Sequence, residues 1–497
     1  MSASPLEQDP SSFAGTRHTL QRVLGVRIAM AVVVGNVIGS GIFLKPGNIA
    51  GECGSFPIII SVWVLGGVLC FLGALCFAEL AAMLPQAGGM YVYLREAYGR
   101  PVAFLFGWSE FLFSRPASIG ALAVAFVGSL ALANNWQLSS PGQAALAGLL
   151  IGSVAWINIL GVIWGGRLQM VVTVIKVAFL ALVALSPLLV LPFSETTFEL
   201  ANYATTVVPR QTTLAGQVGA VLLAVMWAYN GWDGVTPLAE EIRDPGRNIP
   251  LALFGGIGVL VVLYVSANFA YHGVLSMSQI ADAGDHAAEQ MLYRLFGSLG
   301  LSAMSAVIMC STFGAINTNF LQAPRITFAM GRDGVFFRIL GAVHAVYRTP
   351  SVAIVVNALM AFLLVLAVAL AKFLLRDLSA ESFRSNLAQQ VIASLQADTI
   401  FDLLTNFVIF TASIFYTLTV LAVIVLRIRR PDLKRPYKAW GYPLAPAAFL
   451  AVYVWFLWQI YWSKPLESHT GLMLIALGIP VYFLYQYLAG KRTKADS

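Results

Sequence analysis

Two stretches of this sequence put helix-breaking residues where everything around them is apolar. The first reads MAVVVGNVIGSGIFLKPG, with Gly35, Gly39, Ser40 and Gly41 in mid-run. The second reads AVMWAYNGWDGVTPLAEEI, where Asn230, Gly231, Asp233 and Gly234 interrupt a run flanked by Trp227, Tyr229 and Trp232. Asn, Gly and Asp form helices poorly because they compete for backbone hydrogen bonds or cost backbone entropy. A helix broken there exposes backbone groups that nothing inside it satisfies. Amides of Ser40, Gly41 and Ile42 would open a second half-helix, whose positive end suits a carboxylate. Carbonyls near Val37 and Ala228, at the ends of the first half-helices, would accept from an ammonium group. Two opposed half-dipoles recognise a zwitterion without any charged side chain, and that describes an α-amino acid. Side-chain selectivity then falls to Trp227, Asn230 and neighbouring helices. Gly35 and Gly39 alone would also fit a close helix–helix contact, the small-xxx-small pattern.

Composition says what must position these breaks. Of 497 residues, 59% are hydrophobic and only 11% charged, less than half of the ~25% typical of soluble proteins. Mean hydropathy is +0.79. So few charges cannot cover the surfaces of several soluble domains, and intrinsic disorder is excluded with them. The apolar runs are long and unbroken rather than alternating, so the expectation is an all-α polytopic membrane protein. Twelve spans are predicted, near 27–51, 56–84, 101–131, 142–161, 168–191, 214–239, 249–274, 300–330, 350–371, 401–427, 443–463 and 471–489. Spans 1 and 6 open two successive sets of five, and broken helices at matching places in two halves point to a transporter site.

The expected organisation is a tail over 1–24, a five-helix set over 25–191 and a loop over 192–213. A second set follows over 214–427, then helices 11 and 12 with their basic loop over 428–489, and a tail over 490–497. A polar stretch at 376–398 reads as a short amphipathic surface helix. Most of the 30 Lys and Arg fall in loops on the side of the N-terminus. Lys45, Arg210, Arg294, Lys372, Arg376, Arg384 and Lys464 fall on the other. Basic loops mark the cytoplasmic face, so both termini are expected inside a cell membrane. The net charge of +7 is then a topology signal facing lipid, with no nucleic acid implied. Five scattered histidines and four cysteines without ligand spacing predict no metal and no cofactor. No cluster suggests an enzyme.

VGNVIGSGIFLKPG resembles the first helix of the amino acid–polyamine–organocation superfamily, and AYNGWDGVTPLAEEIRDPGRNIP resembles its sixth helix and following loop. FAELAAMLPQAGGMYVYLREAYG, NILGVIWGGRLQMVVTVIK and RIRRPDLKRPYKAWGYPLAP are similar to its second helix, fifth helix and loop 10–11. The nearest subgroup is that of the L-type amino acid transporters, prokaryotic in type. The resemblance implies a LeuT-type 5+5 inverted repeat with discontinuous helices 1 and 6, plus two extra helices. It implies alternating access, as an exchanger or proton-coupled symporter, with substrate held at Val37, Ser40, Gly41, Ile42, Trp227, Ala228, Asn230 and Asp233. Trp227 is similar to the family's aromatic gate, with ordinary packing as the plain alternative. Glu240, Glu241 and Arg243 look like a cytoplasmic gate network.

Heavy-chain-linked animal members carry a cysteine between spans 3 and 4. Here that loop is ANNWQLSSPGQ, so no disulfide-linked partner is expected, and the chain reads as a monomer or weak oligomer. Cationic-substrate members commonly have an acid where Asn230 stands. Asn230 suggests neutral substrates with medium-to-large side chains. Asp233 keeps a cationic amino acid or polyamine exchanger as the alternative.

Lys176 lies inside span 5, too deep to reach water. Desolvation disfavours its charged form, so it is a proton-coupling candidate. The other reading makes it a fixed cation bonded to carbonyls near Gly35 and to Ser311 or Thr312. Glu110 and Arg115, five apart on span 3, read as a structural pair. Asn317 and Asn319 read as interhelical hydrogen bonds.

Overall fold

The computed structural model describes residues 20–39, 41–190, 198–375, 389, 400–463 and 465–495. Ser40 and nearly all of the 376–398 stretch therefore lie outside the described residues. Among the described residues, eleven helices are long and apolar enough to cross a membrane, and Leu214–Tyr229 is a shorter apolar helix. Together they make twelve spans.

Span 1 comes in pieces: Val26–Val37, Gly41–Leu44 and Pro46–Cys53. Spans 2 to 5 are Phe56–Met83, Arg100–Ala133, Ser140–Ile159 and Val162–Val190. Span 6 stops at Tyr229 and resumes only as one short 3₁₀ stretch, Thr236–Glu241. Spans 7 to 9 are Pro245–Val274, Ser298–Arg332 and Ser351–Leu375. Spans 10 to 12 are Ile400–Arg429, Leu444–Ser463 and Pro465–Ala495. Span 3 is not a uniform α-helix, because Glu110–Ser114 is a π turn.

The packing repeats between the two sets of five. Span 2 lies on span 7, span 3 on span 8, span 4 on span 9, and the second part of span 1 on the first half of span 6. Each of spans 1 to 4 thus meets the one five places later, in keeping with a two-fold relation between the halves. Apolar side chains such as Val174, Leu185 and Leu359 point outward, where lipid is the solvent. Polar ones point inward: Lys176, Asp233, Asn317, Gln322 and Arg325 are all at most 1% exposed.

Sequence reading missed three short helices: Met90–Tyr98 between spans 2 and 3, and Met277–Ala283 and Ala287–Phe296 between spans 7 and 8. They are too short and too polar to register as membrane runs, though Ser276 and Gln279 form a capping box that announces one of them. The loop before span 6 is docked. Val207 and Arg210 donate backbone hydrogen bonds to Gly54 and Gly51, at the end of span 1.

Candidate functional site

Both breaks form, and neighbouring spans hold them open. Beyond Val37 the carbonyls of span 1 lose their helical partners. The Lys176 ammonium donates to Gly35 O at 2.9 Å and Ile38 O at 2.7 Å. The Ser311 hydroxyl donates to Ile38 O at 2.9 Å and reaches Gly39 O at 3.1 Å. Thr312, the alternative to Ser311, bonds only within its own helix. Tyr264 of span 7 ties the two breaks together, its hydroxyl lying 2.9 Å from Val37 O and 3.1 Å from Ala228 O. These are the carbonyls expected to face an ammonium group, and a tyrosine hydroxyl already engages them.

Glycine is needed where the halves meet. A Cβ on Gly41 would stand 2.8 Å from Ala228 Cα. Gly231 has φ +92°, and a Cβ there would run into Asn36 Nδ2, whose amide donates to Gly231 O at 2.8 Å.

Between the breaks lies a cavity of about 90 Å³, room for several waters or a small zwitterion. Asn36, Val37, Gly39, Gly41, Trp227 and Asn230 border it. Ala228 and Ile42 are buried beside it without lining it, and the Ile42 carbonyl accepts from Tyr271. Asp233, expected at the substrate, and the Glu110–Arg115 pair, expected to be structural, change places. Asp233 is fully buried and does not reach the cavity wall. Tyr416 of span 10 covers it, donating to Asp233 Oδ1 at 2.6 Å with Asn230 Oδ1 3.3 Å away.

Glu110 and Arg115, read as structural, do line the cavity. The π turn explains their pairing: with an i→i+5 repeat, residues five apart stack on one face. Their side chains form an ion pair, and Arg115 also donates to Asn319 and Gln322 of span 8 at 3.2 and 2.9 Å. Ser114, in the same turn, lines the cavity with a buried hydroxyl that has no hydrogen-bond partner among the described residues. Asn317 bridges spans as expected, bonding Asn158, Gly165 and Gln169. Only the five-residue spacing, followed by Pro116, hinted at the π turn.

Glu240 and Glu241, expected to share a gate network with Arg243, find other partners. Glu241 pairs with Arg325 of span 8 through two hydrogen bonds of 3.1 and 3.2 Å, and both side chains are fully buried. Glu240 pairs with Arg332 and accepts from Ala87 N. Arg243 is exposed and contributes only its backbone, donating to Leu24 O. The correction has a simple cause: helix geometry brings span 8 against the end of span 6, whereas Arg243 lies past its last turn. Val23 and Leu24 donate to Glu241 O and seal this end.

Twelve apolar helices, two of them broken around a small buried cavity, define a polytopic membrane transporter. The chain belongs to the amino acid permease family, which matches residues 24–484. It is similar to the serine/threonine exchanger SteT of Bacillus subtilis, 30% identical over 93% of this chain and 97% of that one. It is also similar to the mouse b(0,+)-type amino acid transporter 1, 29% identical over 94% of this chain and 89% of that one. The mouse large neutral amino acids transporter small subunit 2 is 29% identical as well, over 96% and 83%. The protein is an amino acid transporter of the L-type group, and its substrate is an amino acid.

Proposed function

We propose that this protein exchanges neutral amino acids across the cell membrane by alternating access, with both termini cytoplasmic. The observation that carries the reading is the wall of the inner cavity. Among the described residues its only charged ones are Glu110 and Arg115, which neutralise each other, while Asp233 is withdrawn behind Tyr416. An unpaired carboxylate on the wall would favour a cationic side chain; a self-paired wall favours a neutral one. Gly41 supports a carboxylate position, since it lines the cavity at the start of the second half-helix. The ammonium group is assigned to the side of Val37 and Asn36. Ser114, Ser118 and Asn319 border the remaining space, which suits hydroxyl and amide side chains as well as aliphatic ones. Trp227 serves as the gate. The ion pairs of Glu241 and Glu240 serve as the cytoplasmic latch.

Exchange is favoured over proton symport because Lys176 is engaged by two carbonyls of the span 1 break, as a fixed cation would be. No disulfide-linked heavy chain is needed: the loop between spans 3 and 4 has no cysteine, and Cys53, Cys70 and Cys76 are buried. Competition for labelled leucine uptake in proteoliposomes tests the reading. Unlabelled leucine or serine should compete strongly, and arginine, putrescine and glutamate weakly. Inhibition by putrescine but not leucine would refute neutral exchange in favour of the amine alternative.

A further inference from the structure

The buried hydroxyls of Ser109, Ser186, Thr312 and Thr318 are satisfied inside their own helices. Each donates to a carbonyl three or four residues back, a common local bond of these side chains. Ser114 makes no such bond. It is 3% exposed, its hydroxyl has no partner among the described residues, and it borders the inner cavity. The cause is the π turn that it ends. Across Glu110–Ser114 the backbone bonds reach the fifth residue, with Arg115 N donating to Glu110 O. The wider turn displaces the carbonyls that would otherwise take this hydroxyl.

A buried hydroxyl left unpaired is costly, so one that faces a cavity favours whatever occupant completes it. The groups assigned above to the substrate's carboxylate and ammonium, Gly41, Val37 and Asn36, all belong to span 1. Span 3 is left for the side chain. Ser114, Ser118, Ala121 and Leu122 border the cavity from it, at i, i+4, i+7 and i+8, the spacing of one helix face. That face carries hydroxyls at one end and apolar groups at the other.

We propose that Ser114 is a specificity-determining residue that recognises a side-chain hydroxyl, so that hydroxylated amino acids are preferred over apolar ones of the same shape. Its hydroxyl can donate or accept, and it pairs with the hydroxyl of serine or threonine in either sense. Ala121 and Leu122 take the apolar part of the side chain. Apolar amino acids still enter along that stretch but leave the serine unpaired. The proposal rests on the inner cavity being the transport site.

Threonine and valine share a shape and differ by one hydroxyl, so together they isolate this contact. In proteoliposomes, threonine should displace labelled leucine at roughly tenfold lower concentration than valine, about 1.4 kcal/mol, as expected when valine leaves one buried hydroxyl unpaired. In Ser114→Ala the two should compete equally. Ser109→Ala, which removes a hydroxyl that bonds only its own helix, should keep the threonine preference. Each ratio compares two amino acids on the same protein, so a partial loss of folded transporter cancels. Equal competition in the wild type, an unchanged ratio in Ser114→Ala, or the same loss in Ser109→Ala overturns the role of Ser114. Wild-type vesicles that carry neither leucine nor threonine would instead overturn the inner-cavity reading.

Discussion

The two breaks solve one problem with different chemistry. Each leaves backbone carbonyls unpaired inside the bilayer, where an unsatisfied group costs several kcal/mol. Span 1 contains no ionisable residue at its break and borrows a cation, Lys176, from span 5, with Ser311 from span 8. Span 6 carries its own ionisable residue, Asp233, and is tied by neutral groups: Tyr416, Asn36 and Tyr264. Charge-assisted hydrogen bonds are about twice as strong as neutral ones. At span 1 the two lysine bonds fall on backbone carbonyls of the break itself, whereas at span 6 the carboxylate bond holds only a side chain; span 1 is therefore the pinned break and span 6 the compliant one. Trp227, the proposed gate, sits on the compliant side, one turn or less before its helix ends.

The largest effect expected from this contrast is at Lys176. Lys176→Ala removes two charge-assisted bonds, leaving Gly35 O unpaired and Ile38 O with Ser311 alone, which costs roughly 3 kcal/mol or more. Thermal melting should fall and leucine exchange should be lost, while the wild type itself should show no pH-driven accumulation. If accumulation alone disappears while exchange persists, the lysine is a coupling group rather than a pin.

Asp233→Asn comes next. The amide oxygen can still accept from Tyr416, so leucine exchange should stay within roughly threefold of wild type, the span of one neutral hydrogen bond. Loss of leucine exchange with folding intact would make span 6 as dependent on charge as span 1.

The smallest pair separates neighbours on span 8. Ser311→Ala removes a tie to the pinned break and should cost about 1 kcal/mol in thermal stability. Thr312→Ala, whose hydroxyl bonds only its own helix, should stay within ~0.5 kcal/mol. Equal losses at both positions would show that Ser311 does not hold the break.

How far the sequence could be read follows from these residues. Span number and the two breaks come from local properties: apolar length, and Gly, Asn or Asp inside it. Lys176 was legible for the same reason, since a lone lysine deep in an apolar run must find oxygen atoms. Its carbonyl partners near Gly35 could be named because the break frees them as acceptors, whereas Ser311, expected with Thr312 as an alternative partner of the lysine, bonds the freed carbonyls instead. The Glu110–Arg115 pair was legible as a pair but not as cavity wall, because an i, i+5 spacing faces one way in an α-helix and another in a π turn. Arg325 was missed as the partner of Glu241, since 84 residues separate them and several arginines lie nearer in the chain.

The sequence by itself determined the solvent this protein folds in, the number of its spans and the places where two of them must break. Those are set by transfer free energy and helix propensity, which act over a turn or a span. Only the tertiary structure decided which charges neighbour the cavity. It withdrew Asp233 behind Tyr416, brought Glu110 and Arg115 to the wall, and exchanged Arg243 for Arg325. Within a bilayer an unpaired charge is far costlier than any local preference. The pairing that minimises exposed charge is a property of how helices meet, and helices distant in sequence meet only once the chain has folded.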